Sequence, residues 1–363
     1  MRWEEHGWDN YGPPFLHDVR GGVDANGNIV AIEDTQFGVP AGRIDPPELW
    51  IGLTQKAGQL TYGTTGNSDT NNSGTQYNLK NRRVISKSLP LQNNYFRNAP
   101  LRAPNAPQTC FAYEQFVDEL AYAAGMDPYQ FRLQNVATNA SDMANGLTSL
   151  TWDRWKNVLT KAGLMANWQP RVANSVKQTG DVRTGRGIAL GTFANTMVGN
   201  VAEVSVNMKS GKISVTQVYS AQDTGMTVYP DGLTNQGIGS LIMGISRAMY
   251  EQVVFNQKQV TSLDWVTYPI LRFKDAPKID FQFIQRYDIP ATNTGTANAN
   301  GTTSPSSTVA ASGVFVSGSG EPPLSSIGAA IANAFFDATG ARIRTAPMTS
   351  DRVRSALKAA GVA

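Results

Sequence analysis

The glycine-rich segment 317–340 constrains the fold of this chain more than any other, because a turn, a helix and a helix stop follow one another within it. The two prolines after Glu321 are typical of the first turn of a helix. Gly340 is typical of the position just after a helix. Between them, apolar side chains recur every four positions, at Ile327, Ile331 and Phe335. The segment therefore predicts a helix with one apolar face, and it places Glu321 at the N-terminus of that helix.

Glu321 has two interpretations. In the first, its carboxylate only stabilises the helix, because negative charge at a helix N-terminus is favourable by about 0.3–1 kcal/mol. In the second, the small apolar residues around it form a dry pocket in which the carboxylate serves as a general base. The residues of the segment by themselves leave both interpretations open.

Composition excludes several classes of site. The chain has 31 Lys or Arg and 28 Asp or Glu among 363 residues, without a basic run of the kind that tracks phosphates, so we expect no nucleic-acid partner. Cys110 is the single cysteine, and His6 and His17 are the two histidines, which excludes an internal disulfide and argues against a cysteine- or histidine-rich metal site. A Ser–His–Asp triad with either histidine stays open, although neither lies in a nucleophile-elbow context.

Strand and helix patterns follow one another irregularly along the chain. Residues 15–39 predict a hairpin, because Asn26-Gly27 supplies the positive φ of a tight turn. Residues 290–312 are polar and low in complexity, so we expect a flexible insertion there. Without regular βαβ alternation, the order of elements indicates an α+β fold. Periodicity predicts strands over 83–89, 187–191, 201–207 and 212–219, and helices over 108–125, 128–135, 152–163 and 235–250.

Two further residues are candidates for chemistry. Arg102 lies in a loop with three prolines, and such a stiff loop presents the guanidinium and nearby amides in a fixed position. A surface salt bridge is the alternative for this arginine. Gln236 lies on the glycine-rich helix 235–250, in which each glycine costs up to ~1 kcal/mol relative to alanine. These glycines indicate the close approach of another backbone or of a ligand.

Four stretches occur together in the order and spacing of one enzyme family. They are LRAPNAPQ at 101–108 with EQFVDELA at 114–121 and GMDPYQFRLQN at 125–135; VAEV at 201–204 with the hairpin after it; YPDGLTNQGIG at 229–239; and GSGEPP at 318–323 with AIANA at 330–334 and DATG at 337–340. On these residues nearly the whole chain resembles the molybdenum-cofactor-binding large subunit of the xanthine oxidase family, the molybdenum hydroxylases. The resemblance is greatest to the aldehyde dehydrogenase and isoquinoline 1-oxidoreductase branch.

The resemblance implies a hydroxylation whose oxygen comes from water. Glu321 matches the family's glutamate, which takes the proton from a hydroxyl on the molybdenum. Arg102 matches the arginine loop beside the metal and the substrate, and Gln236 matches a glutamine that faces the cofactor. No protein side chain is expected to bind the metal directly. A bulky pterin dinucleotide would pass close to backbone amides where the chain has glycines, which lack a side chain. The glycines expected to do so are Gly237, Gly318 and Gly320.

The resemblance also implies cofactors and partners. Molybdopterin, as the cytosine dinucleotide, would carry the molybdenum, and electrons would leave through [2Fe-2S] clusters to haem c or FAD on partner subunits. Family large subunits are considerably longer, and their pterin-holding glycine segments lie N-terminal to the region matched. We therefore expect the N-terminal half as a separate chain, an iron–sulfur subunit, and a cytochrome c subunit as one candidate electron acceptor. Without these partners the chain is expected not to hold the cofactor firmly.

Several expectations concern organisation and activity. We expect a first cofactor-binding subdomain over 1–140, with the arginine loop, and a second over 141–363, with Glu321. The leading prediction is the oxidation of an aldehyde to a carboxylic acid. Hydroxylation of an N-heteroaromatic is the alternative within the same chemistry, and a metal-free scaffold subunit is the alternative of another class. Ala-Pro-Asn after Arg102, in place of Gly-Phe-Gly, argues against a purine substrate.

The sequence does not determine the cellular compartment of this protein. The first ten residues lack the basic and apolar pattern of a signal peptide, and no apolar run approaches the ~18 residues that a membrane span needs. We therefore expect no export or anchoring signal in this chain. The periplasmic side of the inner membrane, reached through a partner's signal, is favoured over the cytoplasm.

Overall fold

A computed structural model of the chain describes residues 10–38, 72–88, 97–98, 101–137, 152–171, 178–256, 259–288 and 315–362. Its strands are β1 (Asn10–Tyr11), β2 (Phe15–Val23), β3 (Ile29–Gly38), β4 (Asn81–Ser88), β5 (Arg97–Asn98), β6 (Val182–Phe193), β7 (Thr196–Asn207), β8 (Ile213–Asp223) and β9 (Lys278–Phe283). Its helices are α1 (Ala106–Ala123), α2 (Pro128–Asn135), α3 (Trp152–Met165), α4 (Pro230–Met249), α5 (Pro322–Thr339) and α6 (Ser350–Ala359). The predicted insertion at 290–312 lies outside the described residues.

The strands form two mixed sheets and one short parallel pair. In the first sheet, β2 and β3 are the predicted hairpin, with Gly27 at a φ of 79°, and β4 lies parallel to β3. In the second sheet, β6, β7 and β8 are antiparallel neighbours, and β9 joins β8 in parallel. The short pair is formed by β1 and β5. Together with the helices, these sheets confirm the α+β fold.

Capping residues set the helix ends close to their predicted positions. Asp127 accepts hydrogen bonds from the backbone amides of Tyr129 and Gln130, each at 2.9 Å, and so caps α2. Gly340 ends α5 with a φ of 77°, a conformation that favours glycine. The predicted start of α4 at 235 was wrong, because the helix begins at Pro230, a proline in the first turn.

Helix α5 lies at the centre of the molecule, against β6 and β7 on one side and against α1 and α4 on others. Its small residues allow this close packing. A β-carbon added to Gly187 on β6 would lie 2.2 Å from the carbonyl oxygen of Ala330 on α5, so the sheet and the helix meet backbone to backbone there. Because most residues of this helix are buried, Glu321, which immediately precedes it, has a fixed position relative to the sheet.

One apolar core cluster combines residues from both sides of position 140, among them Val117 of α1, Phe131 of α2, Trp155 of α3 and Ile188 of β6. A second cluster gathers around α5 and α6. The division into subdomains 1–140 and 141–363 stays a prediction. Of the helices in the described ranges, none has the length and apolarity to cross a membrane.

A buried ion pair joins α1 to α2. Arg132 Nη2 lies 3.0 Å from Glu114 Oε2, and both side chains are fully buried. The hydroxyl of Tyr77 donates to Glu114 Oε1 at 2.7 Å, and the amide of Leu190 donates to Glu114 Oε2 at 3.0 Å. The carboxylate is thus satisfied by three partners inside the core.

Candidate active site

Two segments that lie far apart in the sequence meet beside the first half of α4. The arginine loop, residues 101–105, precedes α1. The glutamate segment, residues 315–321, leads into α5. Hydrogen bonds join these two segments to each other and to Gln236 and Ser240 on one face of α4. The structure therefore brings Arg102, Gln236 and Glu321 into one site.

Neutral acceptors hold the guanidinium of Arg102. Its Nε donates to the carbonyl oxygen of Gly320 at 2.9 Å, and its Nη2 donates to the same oxygen. Nη2 also lies 2.9 Å from Oε1 and 3.2 Å from the carbonyl oxygen of Gln236, while Nη1 contacts the sulfur of Met243 at 3.1 Å. Burial lowers the pKa of Arg102, and the nearby charge of Glu321 opposes that shift. Among the ion pairs of the described residues, Arg102 takes part in none.

Glu321 is half-buried, and its side chain does not cap α5. Instead, Oε1 accepts a hydrogen bond from the backbone amide of Ala103 at 2.7 Å. Within the described part of the chain, Oε2 has no hydrogen-bond partner. The backbone is fixed as well, because Ser240 Oγ donates to the Glu321 carbonyl oxygen and accepts from the Leu324 amide, each at 3.1 Å. One carboxylate oxygen is thus held while the other is free to react.

The arginine loop carries backbone strain at two residues. Ala103 has a φ of 57° and Asn105 a φ of 65°. This left-handed conformation costs an ordinary L-residue roughly 1–2 kcal/mol. Strain of this kind persists where the surroundings fix the backbone, and it is concentrated at functional sites. Here the strained residue Ala103 is the one whose amide contacts Glu321.

The glutamate segment is anchored to the ends of three strands. Gln222 Nε2 on β8 donates to the carbonyl oxygen of Ser319 at 3.0 Å. Thr196 Oγ1 on β7 donates to the carbonyl oxygen of Gly318 at 2.6 Å, and the Gly318 amide donates to the Ala194 carbonyl oxygen, just after β6, at 3.2 Å. A β-carbon at Gly318 would lie 2.7 Å from that of Ala194, so the segment can approach the strands this closely only with glycine there.

The other predicted glycines have different surroundings. A β-carbon at Gly320 would lie 3.1 Å from Gln236 Oε1, and one at Gly239 would meet only Arg102 Nη1, at 3.9 Å. The Gly239 position thus leaves space beside the guanidinium, whereas a side chain at position 320 would be crowded by Gln236. The α-carbon of Gly237 instead faces the ring of Phe281, whose Cε2 would be 2.3 Å from an added β-carbon. Packing explains this glycine, and its contact with a cofactor stays a prediction.

His17 does not form a serine triad with the serine near it. Its Nδ1 lies 3.1 Å from Asp34 Oδ1, and Ser73 Oγ donates to Asp34 Oδ2 at 2.7 Å. A triad requires the imidazole to lie between the serine and the acid. Here the carboxylate lies between them, so the serine is not activated. His6 lies outside the described residues, and within those described no three His, Cys, Asp or Glu side chains are grouped to hold a metal ion.

Sequence patterns missed several residues that position the site. Ala103 acts through its backbone amide, which residue type does not reveal. Ser240 could have been found, because it lies four positions after Gln236 and residues four apart share one face of a helix. Thr196 and Gln222 carry no local signal, since strand pairing alone brings them to the glutamate segment.

Family models match two parts of the chain. Both are described as a molybdopterin cofactor-binding domain, one over residues 52–136 and the other over residues 111–277. Arg102 lies in the first match, Gln236 lies in the second, and Glu321 lies beyond both. Together the two matches span most of the chain.

Named relatives agree with these models. The chain is 32% identical over 370 residues to a nicotinate dehydrogenase subunit of Pseudomonas putida, a match covering 99% of this chain and 27% of that protein. It is 29% identical over 252 residues to the beta subunit of isoquinoline 1-oxidoreductase of Brevundimonas diminuta, covering 68% of this chain and 26% of that protein. The chain thus spans about a quarter of the length of these relatives.

A solved structure shares the fold. The aldehyde oxidoreductase from Desulfovibrio gigas superposes with a TM-score of 0.69 at 17% identity, over 99% of this chain and 51% of that one. The four sequence stretches, the two domain models and the named relatives all agree. The chain therefore belongs to the molybdopterin cofactor-binding subunits of the xanthine oxidase family.

Proposed function

We propose that this chain supplies the proton-accepting glutamate and the arginine of a molybdenum hydroxylase that acts on an N-heteroaromatic substrate. One observation carries the proposal: the Ala103 amide holds Oε1 of Glu321, while Oε2 has no hydrogen bond among the described residues and lies in the site of Arg102. Two relatives support this substrate class, because nicotinate and isoquinoline, after which they are named, are both nitrogen heteroaromatics.

The residues of the site fit a pterin cofactor. Space without side chains lies beside Arg102 at Gly239. The guanidinium forms no ion pair with a described carboxylate, so its charge is available to an anionic group. Arg102, Gln236 and the backbone of the glutamate segment would hold the cofactor. When bound, such a cofactor supplies a molybdenum centre that accepts two electrons from the substrate.

The chain's own residues handle the proton and the charge. Oε2 of Glu321 accepts the proton from the water-derived oxygen as that oxygen attacks the ring carbon. The Ala103 amide fixes Oε1 and so orients the carboxylate. Negative charge develops on the ring nitrogen during the attack, and the guanidinium of Arg102 stabilises it electrostatically. Gln236 and Gly320 hold that guanidinium in place, so it does not have to reorganise during the reaction.

Further chains complete the enzyme in this proposal. We propose that the rest of the pterin cradle, the [2Fe-2S] clusters and the final acceptor, haem c or FAD, lie on partner chains, and the proposal is supported by the names of the relatives, which describe them as subunits. The cytosine dinucleotide form of the pterin and a periplasmic location belong to the same proposal. A purified single chain that contains about one molybdenum atom per chain would contradict the need for partners.

The test uses the complex that co-purifies with the tagged chain. We expect it to hydroxylate nicotinate-type substrates with oxygen from ¹⁸O-labelled water. Glu321→Gln is expected to lower kcat by about 10²–10⁴-fold, as expected for loss of a general base. Glu119→Gln, a change near the surface on α1, serves as the matched control with unchanged turnover.

Each outcome of this test distinguishes between the candidates. Turnover of aldehydes alone would replace the heteroaromatic substrate with the aldehyde predicted from the sequence. Unchanged turnover in Glu321→Gln would remove the catalytic role of this residue and favour a scaffold subunit. Mass spectrometry of the product shows whether the oxygen atom that was added came from the ¹⁸O-labelled water or from O₂.

A further inference from the structure

The peptide that joins Arg102 to Ala103 has a charged partner at each end. Its carbonyl oxygen accepts a hydrogen bond from Arg247 Nη1 at 2.9 Å. Its amide donates to Glu321 Oε1 at 2.7 Å. The C=O and N–H groups of a trans peptide point in opposite directions. The cation of Arg247 and the carboxylate of Glu321 therefore lie at opposite edges of one peptide group.

This arrangement polarises the peptide. A peptide group has a dipole of about 3.5 D with its positive end at the amide hydrogen. A cation at the oxygen and an anion at the hydrogen both align with that dipole. Hydrogen bonds to charged groups are shorter and stronger than neutral ones, and linked hydrogen bonds strengthen one another. The Ala103 amide is thus a stronger donor to Glu321 than an isolated amide would be.

The surroundings of Arg247 indicate that this contact is the main role of its side chain. Arg247 lies in the last turn of α4, and its bond to the Arg102 carbonyl is its one hydrogen bond within the described residues. Burial lowers the pKa of Arg247, opposed by the charges of Glu251 and Tyr268. Glu251 is itself engaged, because the hydroxyl of Tyr268 donates to its Oε2 at 2.9 Å. Burying a cation is costly, and the carbonyl contact and the nearby charge of Glu251 both offset part of that cost.

Backbone strain at Ala103 adds to the argument. With a φ of 57°, Ala103 is held in a conformation that an alanine leaves unless its partners fix it. The two bonds to the Arg102–Ala103 peptide are such partners. Gln236, Ser240 and Arg247 all project from α4 toward the arginine loop and the glutamate segment, so one rigid helix controls both.

We propose that Arg247 is a positioning residue for Glu321 and acts through the Arg102–Ala103 peptide. It fixes the carbonyl oxygen of that peptide, and the peptide in turn directs its amide at Oε1. The orientation of Oε2 then follows from a residue that touches neither substrate nor cofactor. The inference depends on the proposed function only for its effect on turnover, because the contact itself exists without a cofactor.

Isotope labelling can observe this one peptide in the full chain. An arginine is followed by an alanine at only two places in the sequence, Arg102-Ala103 and Arg247-Ala248. Arginine labelled with ¹³C at the carbonyl and alanine labelled with ¹⁵N therefore give two signals in a carbonyl–amide correlation spectrum. Arg247→Met removes the second signal and so assigns the first. The remaining signal reports the Arg102 carbonyl and the Ala103 amide together.

Arg247→Met is expected to move the Arg102 carbonyl carbon and the Ala103 amide proton to lower chemical shift, because both hydrogen bonds weaken. Glu321→Gln should move the amide proton in the same direction, and Arg247→Lys should restore part of the shift. Arg342→Met is the matched control, because Arg342 is similarly buried but binds Asp118 elsewhere. It is expected to lower thermal stability and to leave the Arg102–Ala103 signal in place.

Two results would overturn the proposal. If Arg247→Met moves neither shift, Arg247 does not hold this peptide. If it moves the carbonyl carbon but not the amide proton, Arg247 holds the loop without reaching Glu321. Should Arg247→Met fail to fold, Arg247→Lys and Glu321→Gln measure the same two bonds. Because the spectra need neither partner chains nor turnover, failure here is separate from failure of the proposed function.

Discussion

Two arginine–glutamate neighbours in this molecule use their charges in opposite ways. Arg132 and Glu114 are in direct contact at 3.0 Å with fully buried side chains. Arg102 and Glu321 lie close enough for their charges to interact, yet they do not form an ion pair. Arg102 donates to the carbonyl oxygen of Gly320, and Glu321 accepts from the amide of Ala103. In the core, the two charged side chains contact each other directly. In the site, each charged side chain instead contacts a neutral peptide group.

The difference is between a pair in direct contact and a pair whose two charges are held by separate neutral groups. In the core, both carboxylate oxygens of Glu114 are engaged by Arg132, Tyr77 and Leu190. In the site, neutral groups fix the position of each charge without neutralising it. This leaves Oε2 of Glu321 without a hydrogen-bond partner and Arg102 without an ion pair among the described residues. We expect mutations of the first pair to change stability and mutations of the second to change turnover.

The largest effect is expected for Glu114→Ala. It leaves the guanidinium of Arg132 buried without its closest counter-charge, and breaking such a pair costs about 3–5 kcal/mol of unfolding free energy. Chemical denaturation measures this loss. Glu33→Gln, which breaks the exposed pair with Arg83, is the control and is expected to cost less than about 1 kcal/mol. Equal losses in the two variants would mean that burial does not distinguish these pairs.

Arg102→Lys is expected to have the next largest effect, on turnover. Lysine keeps the charge but cannot donate to Gly320 and Gln236 with the geometry of a guanidinium. Because a shift of about 1 Å in a positioning group can lower a rate by ~10²-fold, we expect a fall of this order in kcat of the assembled complex. The unfolding free energy should change by less than about 1 kcal/mol. A large loss of unfolding free energy with a normal kcat per folded enzyme would contradict this prediction. Arg102 would then stabilise the fold, as Arg132 and Glu114 are expected to do.

Local chemistry made much of this fold predictable. Asp127 followed by a proline predicted the start of α2, and Gly340 predicted the end of α5, because caps act within one turn of the chain. The Asn26-Gly27 pair predicted the hairpin of β2 and β3. The parallel pairing of β4 with β3 was not predicted, since it depends on contacts between distant segments that no local pattern encodes.

The site was predictable in its side chains but not in its backbone. Glu321 and Arg102 were found because they lie in motifs of a known family, whereas physics alone left two interpretations for each. The Ala103 amide and the Arg247 contact were missed. In the sequence, Arg247 is an ordinary basic residue in the last turn of a helix, where a cation is favourable in any case. Its contact with the Arg102 carbonyl exists only once α4 and the arginine loop are packed together.

The smallest expected effect concerns a third buried carboxylate, Asp34, and its response to pH. Burial raises the pKa of Asp34, but hydrogen bonds from His17, Ser73 and Gln36 outweigh burial, and the net pKa lies below the ordinary value. A carboxyl with a lowered folded-state pKa adds stability above its unfolded pKa, about 3.9, and loses it as the pH falls through the folded value. Both carboxylate oxygens of Asp34 are engaged by these neighbours, whereas Oε2 of Glu321 has no hydrogen-bond partner among the described residues.

The unfolding free energies of the wild type and of Asp34→Asn should therefore differ most near pH 7. The difference should shrink as the pH falls below about 4, because the wild-type carboxylate then becomes protonated. Ser73→Ala keeps the carboxylate but removes one donor at 2.7 Å, so it should show a weaker pH dependence than the wild type. A difference between wild type and Asp34→Asn that stays constant from pH 7 to pH 3 would show that these hydrogen bonds do not favour the charged form. In that case the contrast between core and site would rest on Glu114 and Glu321 alone.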